Sequence, residues 1–332
     1  MKIIINSSID ITSWNNLLQK SKFTSPFQTP EYYKIINLVD GINANVFAIE
    51  DKDDYKALIV ITILKEKGIK SLFSIRAIVY GGPILLENDA TYLHELLVYV
   101  NNYYKRKVIY LETRNSFNYN YYNDVYVKNN WIYNDHNNVQ LNVIGLTYDE
   151  VLSSMKYNRK REIRISSEHG ARVDHAKNES EVEQLYYILK NIYTERVKLP
   201  LPTLQYFLTL YKSNIGKVFI VTHKDRIIGG AFCLFTKNAA IFTLYYAGLR
   251  AYHKKIFPTH LAISGVIDYA INNGLKMIDF MGAGKPDQSY GVRDYKLQFG
   301  GELVEHGRYQ HILHPLKYRL GVLGLKVLAK FN

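Results

Sequence analysis

One succession of local patterns occurs twice along this chain of 332 residues, at an offset of about 170 positions. In the second half, three short segments rich in Val, Ile, Phe and Tyr are typical of strands, and a helical segment and a fourth strand follow. These elements are predicted at residues 217–222, 227–236, 239–247, 261–272 and 276–280. The first half repeats the order at 46–50, 57–64, 92–103 and 107–112, with Tyr-Gly-Gly at 80–82 matching the later Tyr-Ala-Gly. A recurring order at constant spacing predicts a duplicated domain.

The segment at residues 276–301, KMIDFMGAGKPDQSYGVRDYKLQFGG, carries the strongest indication of a functional site. It starts with the alternating apolar pattern of a strand, which Gly282 and Gly284 interrupt. Aromatic rings then alternate with Arg293 and Lys296 up to a pair of glycines. This composition predicts a loop at 290–301 that binds an anion.

Three strands, a helix and a further strand form the core order of the GNAT acyltransferase fold, which the second half resembles. Two such halves with a YGVRDYKLQFGG segment resemble the FemAB/FemX family, enzymes of peptidoglycan interpeptide bridges, and related tandem-GNAT acyltransferases. Three further stretches agree with this resemblance: SPFQTPEYYK at 25–34, YGGPIL at 80–85 and MKYNRKREIRISSEHGARV at 155–173.

The resemblance implies an α/β fold with mixed sheets, built from two tandem GNAT-like domains with a cleft between them. The N-terminal GNAT-like domain is predicted at residues 1–145. The C-terminal one, at 146–332, is predicted to carry the transfer site and a C-terminal basic amphipathic helix.

The chemistry implied is acyl transfer to an amine, which requires positioning, removal of one proton and stabilisation of an oxyanion. No nucleophilic residue is needed, and the sequence contains no G-x-S-x-G or H-E-x-x-H motif. By resemblance, the Tyr-Lys pair of the late loop is catalytic and falls on Tyr295 and Lys296. Lys296 is predicted to stabilise developing negative charge, the alternative being an ordinary surface lysine. Further residues predicted to bind substrate in this segment are Lys285, Tyr290 and Arg293.

The predicted acceptor is a nucleotide- or lipid-linked cell-envelope precursor, because relatives bind a nucleotide-linked muropeptide through basic side chains. The positions that carry over by motif are Lys34 and either Arg159 or Arg164, and Arg114 is added from the end of a first-half strand. Each of these can instead form an interdomain salt bridge. Lys and Arg outnumber Asp and Glu by 42 to 30, and the net charge of +12 favours anionic partners without choosing among them.

The acyl donor is the second open question. Enzymes of the GNAT fold that use acetyl-CoA place a glycine-rich phosphate loop after the third strand. In this chain the corresponding loop, residues 248–258, lacks glycines after Arg250 and contains Lys254 and Lys255. We therefore expect aminoacyl-tRNA as the donor. One alternative is an acyl-CoA- or carrier-dependent N-acyltransferase acting on an amino sugar, and another is a nucleic-acid-binding protein without enzymatic activity.

Neither a cofactor nor a metal is expected. Residues 282–285 lack the frame of a P-loop, and the histidines at 306, 311 and 314 are joined by no carboxylate pattern. The single cysteine, Cys233, excludes an internal disulfide and is expected to be a small buried residue.

The sequence shows no signal segment and no apolar run of the ~18 residues that a spanning helix needs, so a cytoplasmic protein is expected. The tail at 314–332 places a leucine stripe on one side of a basic amphipathic helix. The stripe comprises Leu316, Leu320, Leu323 and Val327, and the nearby cations are Arg319, Lys326 and Lys330. Such a helix can lie on the inner face of the membrane. We favour packing against the body of the protein, with Gly321 and Gly324 permitting close approach.

Overall fold

The computed structural model describes residues 1–66, 73–86 and 89–330, with side chains up to residue 324. The chain divides into two compact units, each with its own sheet. The first unit consists of Met1–His136 and Glu305–Asn332, and the second of Asn137–Val304.

The strands and α-helices of the described residues are numbered in chain order. The strands are β1 (Lys2–Ile5), β2 (Asn43–Asp51), β3 (Asp54–Leu64), β4 (Arg76–Gly81), β5 (Ile84–Leu85), β6 (Tyr110–Asn115), β7 (Ile132–Asn134), β8 (Asn137–Asn142), β9 (Arg172–His175), β10 (Gly216–His223), β11 (Arg226–Thr236), β12 (Ala240–Gly248), β13 (Met277–Gly282), β14 (Glu302–Glu305) and β15 (Arg308–Ile312). The α-helices are α1 (Ile11–Lys20), α2 (Pro30–Asn37), α3 (Ala90–Tyr104), α4 (Asn123–Lys128), α5 (Tyr148–Ser154), α6 (Tyr157–Glu168), α7 (Glu179–Ile192), α8 (Leu204–Lys212), α9 (Pro258–Asn272), α10 (Gly291–Leu297) and α11 (Pro315–Lys330).

The two sheets have the same strand arrangement. The first has the order β1-β2-β3-β4-β6-β15-β7, with β5 beside β3, and the second has the order β9-β10-β11-β12-β13-β8-β14. In each sheet three antiparallel strands in sequence are followed by a parallel strand that comes after a helix, and then by an antiparallel strand. The predicted duplication and the predicted mixed sheets are therefore confirmed.

The division between the units differs from the predicted boundary at 145/146. Strand β8 precedes that boundary but pairs with β13 in the second sheet, and β15 follows it but pairs with β6 in the first. Each sheet is thus completed by a strand from the other half of the sequence. Both strands are short and polar, NNVQLN and RYQHI, so their hydrophobic patterns gave no sign of this exchange. The C-terminal helix accordingly belongs to the first unit rather than the second.

The core of the second unit forms around α9, which packs against β11 and β12. Its buried side chains follow helical spacing and include Leu261, Ala262, Val266 and Ile267. Cys233 on β11 is fully buried, as expected, and burial raises the pKa of its thiol. This core fixes the two strands that border the site.

Strands β12 and β13 pair only over their first residues, Ala240–Phe242 against Met277–Asp279. On its other side β13 pairs with β8 from Met277 to Gly282, with an irregular register shift between Asp279 and Gly282. The chain then forms α10, although a loop was predicted for residues 290–301. Tyr295 and Phe299 are four residues apart and their rings lie 5.3 Å from each other between centroids, a contact that favours a helical turn at the end of α10.

Helix α11 contacts the first unit through one side only. The Tyr318 ring packs edge-on against Tyr110 at 5.5 Å between centroids, and a side chain at Gly321 would meet the Phe73 carbonyl. The helix therefore packs on the body of the protein with Gly321 in close approach, as we favoured, but not through its leucine stripe: Leu316, Leu320 and Leu323 point away and are exposed. The other predicted members of these stripes, at 326, 327 and 330, have side chains outside the described part of the structure. Within that part, no helix combines the length and apolar character needed to cross a membrane.

Candidate active site

Lys296 lies near the end of α10 and is almost completely buried. Its ammonium donates to the carbonyl oxygens of Gly282 at 2.7 Å and Met281 at 3.3 Å. Burial lowers the pKa of Lys296 to about 8, and the charge of Asp279 opposes this effect. The side chain is therefore protonated at neutral pH. An ammonium has three N–H donors, and two of them contact the protein, so one remains available to a bound oxyanion.

The backbone at Met281 is held in an unusual conformation. Its φ of 64° lies in the left-handed region, which costs a residue with a side chain about 1–2 kcal/mol. Asp279 accepts a hydrogen bond from the Met281 N–H at 2.6 Å, and its other oxygen accepts from Gln140 at 3.0 Å. Burial raises the pKa of this fully buried carboxyl. The turn that Asp279 holds presents the carbonyl oxygens of Met281 and Gly282 to Lys296.

Tyr295, also on α10, faces β12 rather than β13. Its ring lies 5.9 Å from that of Tyr246, measured between centroids. The Tyr295 hydroxyl is buried and has no hydrogen-bond partner within the described part of the protein. Burial holds the pKa of Tyr295 well above its usual range, so the phenol is a neutral donor. Buried polar atoms are nearly always paired, and this one is therefore available to a ligand.

The side chain of Arg159 contacts the ring of Tyr295. Its guanidinium lies 5.1 Å from the ring centroid, within the range of a cation–π contact. One terminal nitrogen donates to Glu162 at 3.0 Å, and the other donates to Gln298 at 2.5 Å. The first nitrogen also contacts the His260 ring. Burial and the charge of Arg159 lower the pKa of His260 to about 3, so this ring is neutral.

Arg159 was predicted as a phosphate ligand, and its position argues for another role. The residue is only 8% exposed, and its terminal nitrogens are committed to neighbouring side chains. It holds Tyr295 and Gln298 in place instead of facing solvent.

The other predicted residues of the second unit are more accessible. Arg164 is exposed on α6 and forms a salt bridge with Glu168 at 3.4 Å. Lys285 and Tyr290 are exposed in the segment between β13 and α10. Arg293 stabilises the conformation of that segment. Its guanidinium donates to the carbonyl oxygens of Lys285 at 2.9 Å and Gln288 at 2.7 Å.

Two predicted residues belong to the first unit. Lys34 is exposed on α2. Arg114 donates to Glu112 at 2.7 Å, and its guanidinium lies 5.4 Å from the centre of the Tyr80 ring. Arg308 contacts the same carboxylate at 3.5 Å, so this cluster carries excess positive charge.

Several residues around the site were missed by sequence reasoning, among them Asp279, Tyr246, His260 and Gln298. Asp279 stands in the apolar strand segment Met-Ile-Asp-Phe-Met, and a lone acid in a buried strand is a signal that was available. Tyr246 gave no such signal, because it is one of several aromatic residues on β12.

The first turn of α9 has few free backbone donors. Phe257 N–H donates to the Ser166 hydroxyl at 2.9 Å, Pro258 has no N–H, and His260 N–H donates to the Phe257 carbonyl at 3.1 Å. Gly248 has no side chain, and this leaves space beside the Thr259 N–H. Two of the backbone N–H groups that could hold a phosphate at this turn, those of Phe257 and His260, are thus bonded within the protein. Within the described residues, no group of three His, Cys, Asp or Glu side chains is placed to hold a metal ion.

Comparison with known proteins agrees with this architecture. Residues 153–297 match the family model of the acetyltransferase (GNAT) domain. No curated protein sequence matches the chain.

Three solved structures share the fold over almost the whole chain. The crystal structure of FemX has 13% identity and a TM-score of 0.73, covering 96% of this chain and 99% of FemX. The C-terminal domain of a putative lysylphosphatidylglycerol synthetase from Agrobacterium fabrum has 9% identity and a TM-score of 0.61, covering 96% of each chain. A tandem GNAT protein from the clavulanic acid biosynthesis pathway has 7% identity and a TM-score of 0.55, covering 94% of this chain and 99% of that one.

The predicted resemblance is confirmed at the level of the fold, and the match to the acetyltransferase domain covers the elements from α6 to α10. Lys296 and Tyr295, the two residues predicted to be catalytic, both lie within the matched region. The chain is an acyltransferase that has the tandem-GNAT fold of FemX.

Proposed function

We propose that this acyltransferase transfers an aminoacyl group from aminoacyl-tRNA to an amine of a cell-envelope precursor. The observation that carries the proposal is the buried Lys296 ammonium, of whose three N–H groups two contact carbonyl oxygens within the described residues. Attack of an amine on an aminoacyl ester forms a C–N bond and places negative charge on the former carbonyl oxygen. A preorganised cation in a site with little water stabilises that charge strongly.

Stabilisation of the oxyanion is the step that we assign to residues of the site. The amine nitrogen attacks the ester carbon, the proposed role of Lys296 is to stabilise the oxyanion, and the proposed role of the Tyr295 hydroxyl is to donate a second hydrogen bond. Collapse of the intermediate breaks the ester C–O bond and returns the ribose hydroxyl of the tRNA, which takes up a proton. The proton lost by the amine leaves to solvent or to the departing oxygen.

The first turn of α9 favours aminoacyl-tRNA over CoA as the donor. A CoA pyrophosphate needs several free backbone N–H groups at this position, and those of Phe257 and His260 are already bonded. The loop that precedes α9 presents Lys254 and Lys255 to solvent. Exposed cations attract a polyanion without requiring one fixed phosphate geometry.

The similarity of the fold to FemX and to a putative lysylphosphatidylglycerol synthetase supports an envelope precursor as the acceptor. Arg164 and Lys285, both exposed, are the proposed contacts for its anionic part in the second unit.

A transfer assay with competing donors tests the proposal. Aminoacyl-tRNA carrying ¹⁴C amino acids and ³H-acetyl-CoA are offered together with an extract of cell-wall precursors. We expect ¹⁴C to enter the precursor fraction, and we expect Lys276→Met, which changes an exposed lysine outside the site, to retain this transfer. Transfer of ³H alone would establish a CoA-dependent enzyme. Binding of tRNA with no transfer of either label would indicate a nucleic-acid-binding protein.

A further inference from the structure

Helix α11 exposes an apolar stripe that no part of the described chain covers. Leu316, Leu320 and Leu323 are 76%, 55% and 56% exposed. Their spacing of four and three residues places them on one face of the helix. Monomeric proteins rarely leave several large apolar side chains exposed together, so the stripe marks an interaction surface.

The opposite face of the same helix is fixed to the first unit. Tyr318 packs against Tyr110 and donates from its hydroxyl to Gln310 at 3.3 Å. Gly321 allows the helix to approach the carbonyl of Phe73 closely. Phe73 is itself 41% exposed, which adds an aromatic ring beside the helix. The leucines therefore face outward because the helix is anchored by its other side.

The charged residues near this stripe indicate what kind of surface it can bind. Between residues 315 and 332 the sequence contains no Asp or Glu, and it contains the cations Lys317, Arg319, Lys326 and Lys330. Lys317 and Arg319 are exposed next to the leucines. Apolar residues flanked by cations, without a single acid, suit a surface that is apolar inside and anionic at its rim. A second copy of this helix would instead bring like charges together.

We propose that α11 docks the protein on an anionic phospholipid bilayer. The leucine stripe enters the boundary between headgroups and acyl chains while the cations contact lipid phosphates. The helix lies in the plane of the interface and does not span it. This docking involves α11 alone and does not depend on the proposed aminoacyl transfer.

Vesicle co-sedimentation of the full chain tests this docking. Vesicles of phosphatidylcholine alone are compared with vesicles that also contain phosphatidylglycerol. We expect binding to the anionic vesicles that weakens as salt is added. The triple variant Leu316→Ser/Leu320→Ser/Leu323→Ser should bind at least about tenfold more weakly, because each buried leucine contributes to partitioning.

The matched control changes three other exposed apolar residues, Leu38→Ser/Val127→Ser/Leu199→Ser, which are 54%, 56% and 66% exposed. This control should bind the vesicles as the wild type does. Both triple variants should retain the wild-type circular dichroism spectrum and melting temperature, since exposed side chains contribute little to stability.

Fluorescence quenching reports on insertion directly. Trp14 and Trp131 are each 1% exposed and are shielded from quenchers in the lipid. Brominated lipids should therefore quench the added fluorescence of Leu320→Trp but not that of Leu199→Trp. The proposal is overturned if the wild type does not bind anionic vesicles or if the α11 triple variant binds them as well as the wild type does. It is also overturned if the wild type is a dimer and the triple variant is a monomer.

Discussion

Asp279 and Lys296 bind opposite sides of the same residue, Met281. The carboxylate accepts from the Met281 N–H at 2.6 Å, and the ammonium donates to the Met281 carbonyl at 3.3 Å. The left-handed backbone of Met281 connects the two contacts. Backbone strain of this kind is often kept at functional sites, where it positions reacting groups. Here it gives a buried ammonium two fixed acceptors, the carbonyl oxygens of Met281 and Gly282.

Asp279→Asn should move the pH dependence of turnover. The substitution is close to isosteric and removes the charge that raises the pKa of Lys296. The pKa of Lys296 should then fall below about 8, and the loss of turnover at high pH should begin at a lower pH than in the wild type. The measurement is the profile of kcat against pH at saturating substrates. Asp268→Asn, which changes an exposed acid on α9, should leave the profile unmoved, and an unmoved profile in Asp279→Asn would mean that Asp279 has only a structural role.

The wild-type enzyme should lose turnover as the pH rises through about 8, where Lys296 gives up its proton. Stability should respond in the opposite direction. The folded pKa of Lys296 is lower than its ordinary value of 10.5, so the unfolded state binds more protons between these values, and the contribution of this group to stability rises with pH. Measuring both kcat and the melting temperature at each pH distinguishes titration of Lys296 from unfolding of the enzyme. An activity profile that is flat from pH 7 to about 9.5 would contradict a catalytic ammonium with this pKa.

Tyr295→Phe should lower activity without lowering stability. The hydroxyl has no partner in the described structure, so its removal breaks no internal hydrogen bond and leaves the ring on Arg159. Loss of one donor to an oxyanion should reduce kcat by about tenfold or more. Tyr126→Phe is a matched control, because it removes another buried hydroxyl without a partner, outside the site. If Tyr295→Phe and Tyr126→Phe are equally active, the Tyr295 hydroxyl takes no part in the reaction.

The two arginines of α6 should behave differently when each is replaced by alanine. Arg159→Ala leaves Glu162 and Gln298 without their buried partner and should lower the free energy of unfolding by about 3 kcal/mol. Arg164→Ala changes an exposed residue and should leave stability nearly unchanged. If Arg164 contacts a phosphate of the acceptor, its loss weakens acceptor binding about tenfold. Urea denaturation and calorimetry measure the two quantities. A stable Arg159→Ala protein with weak acceptor binding would support the prediction that Arg159 itself binds the acceptor.

Local patterns were sufficient to predict most of the fold. The predicted strands at 217–222 and 227–236 correspond to β10 and β11, and the predicted helix at 261–272 corresponds to α9. Alternation and helical spacing report on which face of an element is buried, and these elements bury one face in a large core. The exchange of β8 and β15 between the sheets was not predicted, because pairing between distant segments leaves no local pattern.

The site was predicted only in part for the same reason. Lys296 was proposed from its motif, and its burial follows from the placement of α10 against β13, which the sequence does not reveal. The left-handed φ of Met281 could not be anticipated, since methionine rarely adopts it and the cause is the Asp279 side chain. Arg159 was assigned to a ligand by resemblance of its motif, and the motif does not reveal that Glu162 and Gln298 pair with its guanidinium in a buried position.

The most direct test of the account is the rate of the chemical step in Lys296→Met. This variant keeps much of the side chain and removes the charge. With purified aminoacyl-tRNA and an acceptor identified from the extract, we expect kcat to fall about a hundredfold or more while the KM values change little, because the charge acts mainly on the transition state. Lys276→Met should match the wild type in both parameters. A Lys296→Met enzyme that turns over as fast as Lys276→Met, or that differs only in KM, would contradict the central claim that the buried ammonium stabilises the oxyanion of aminoacyl transfer.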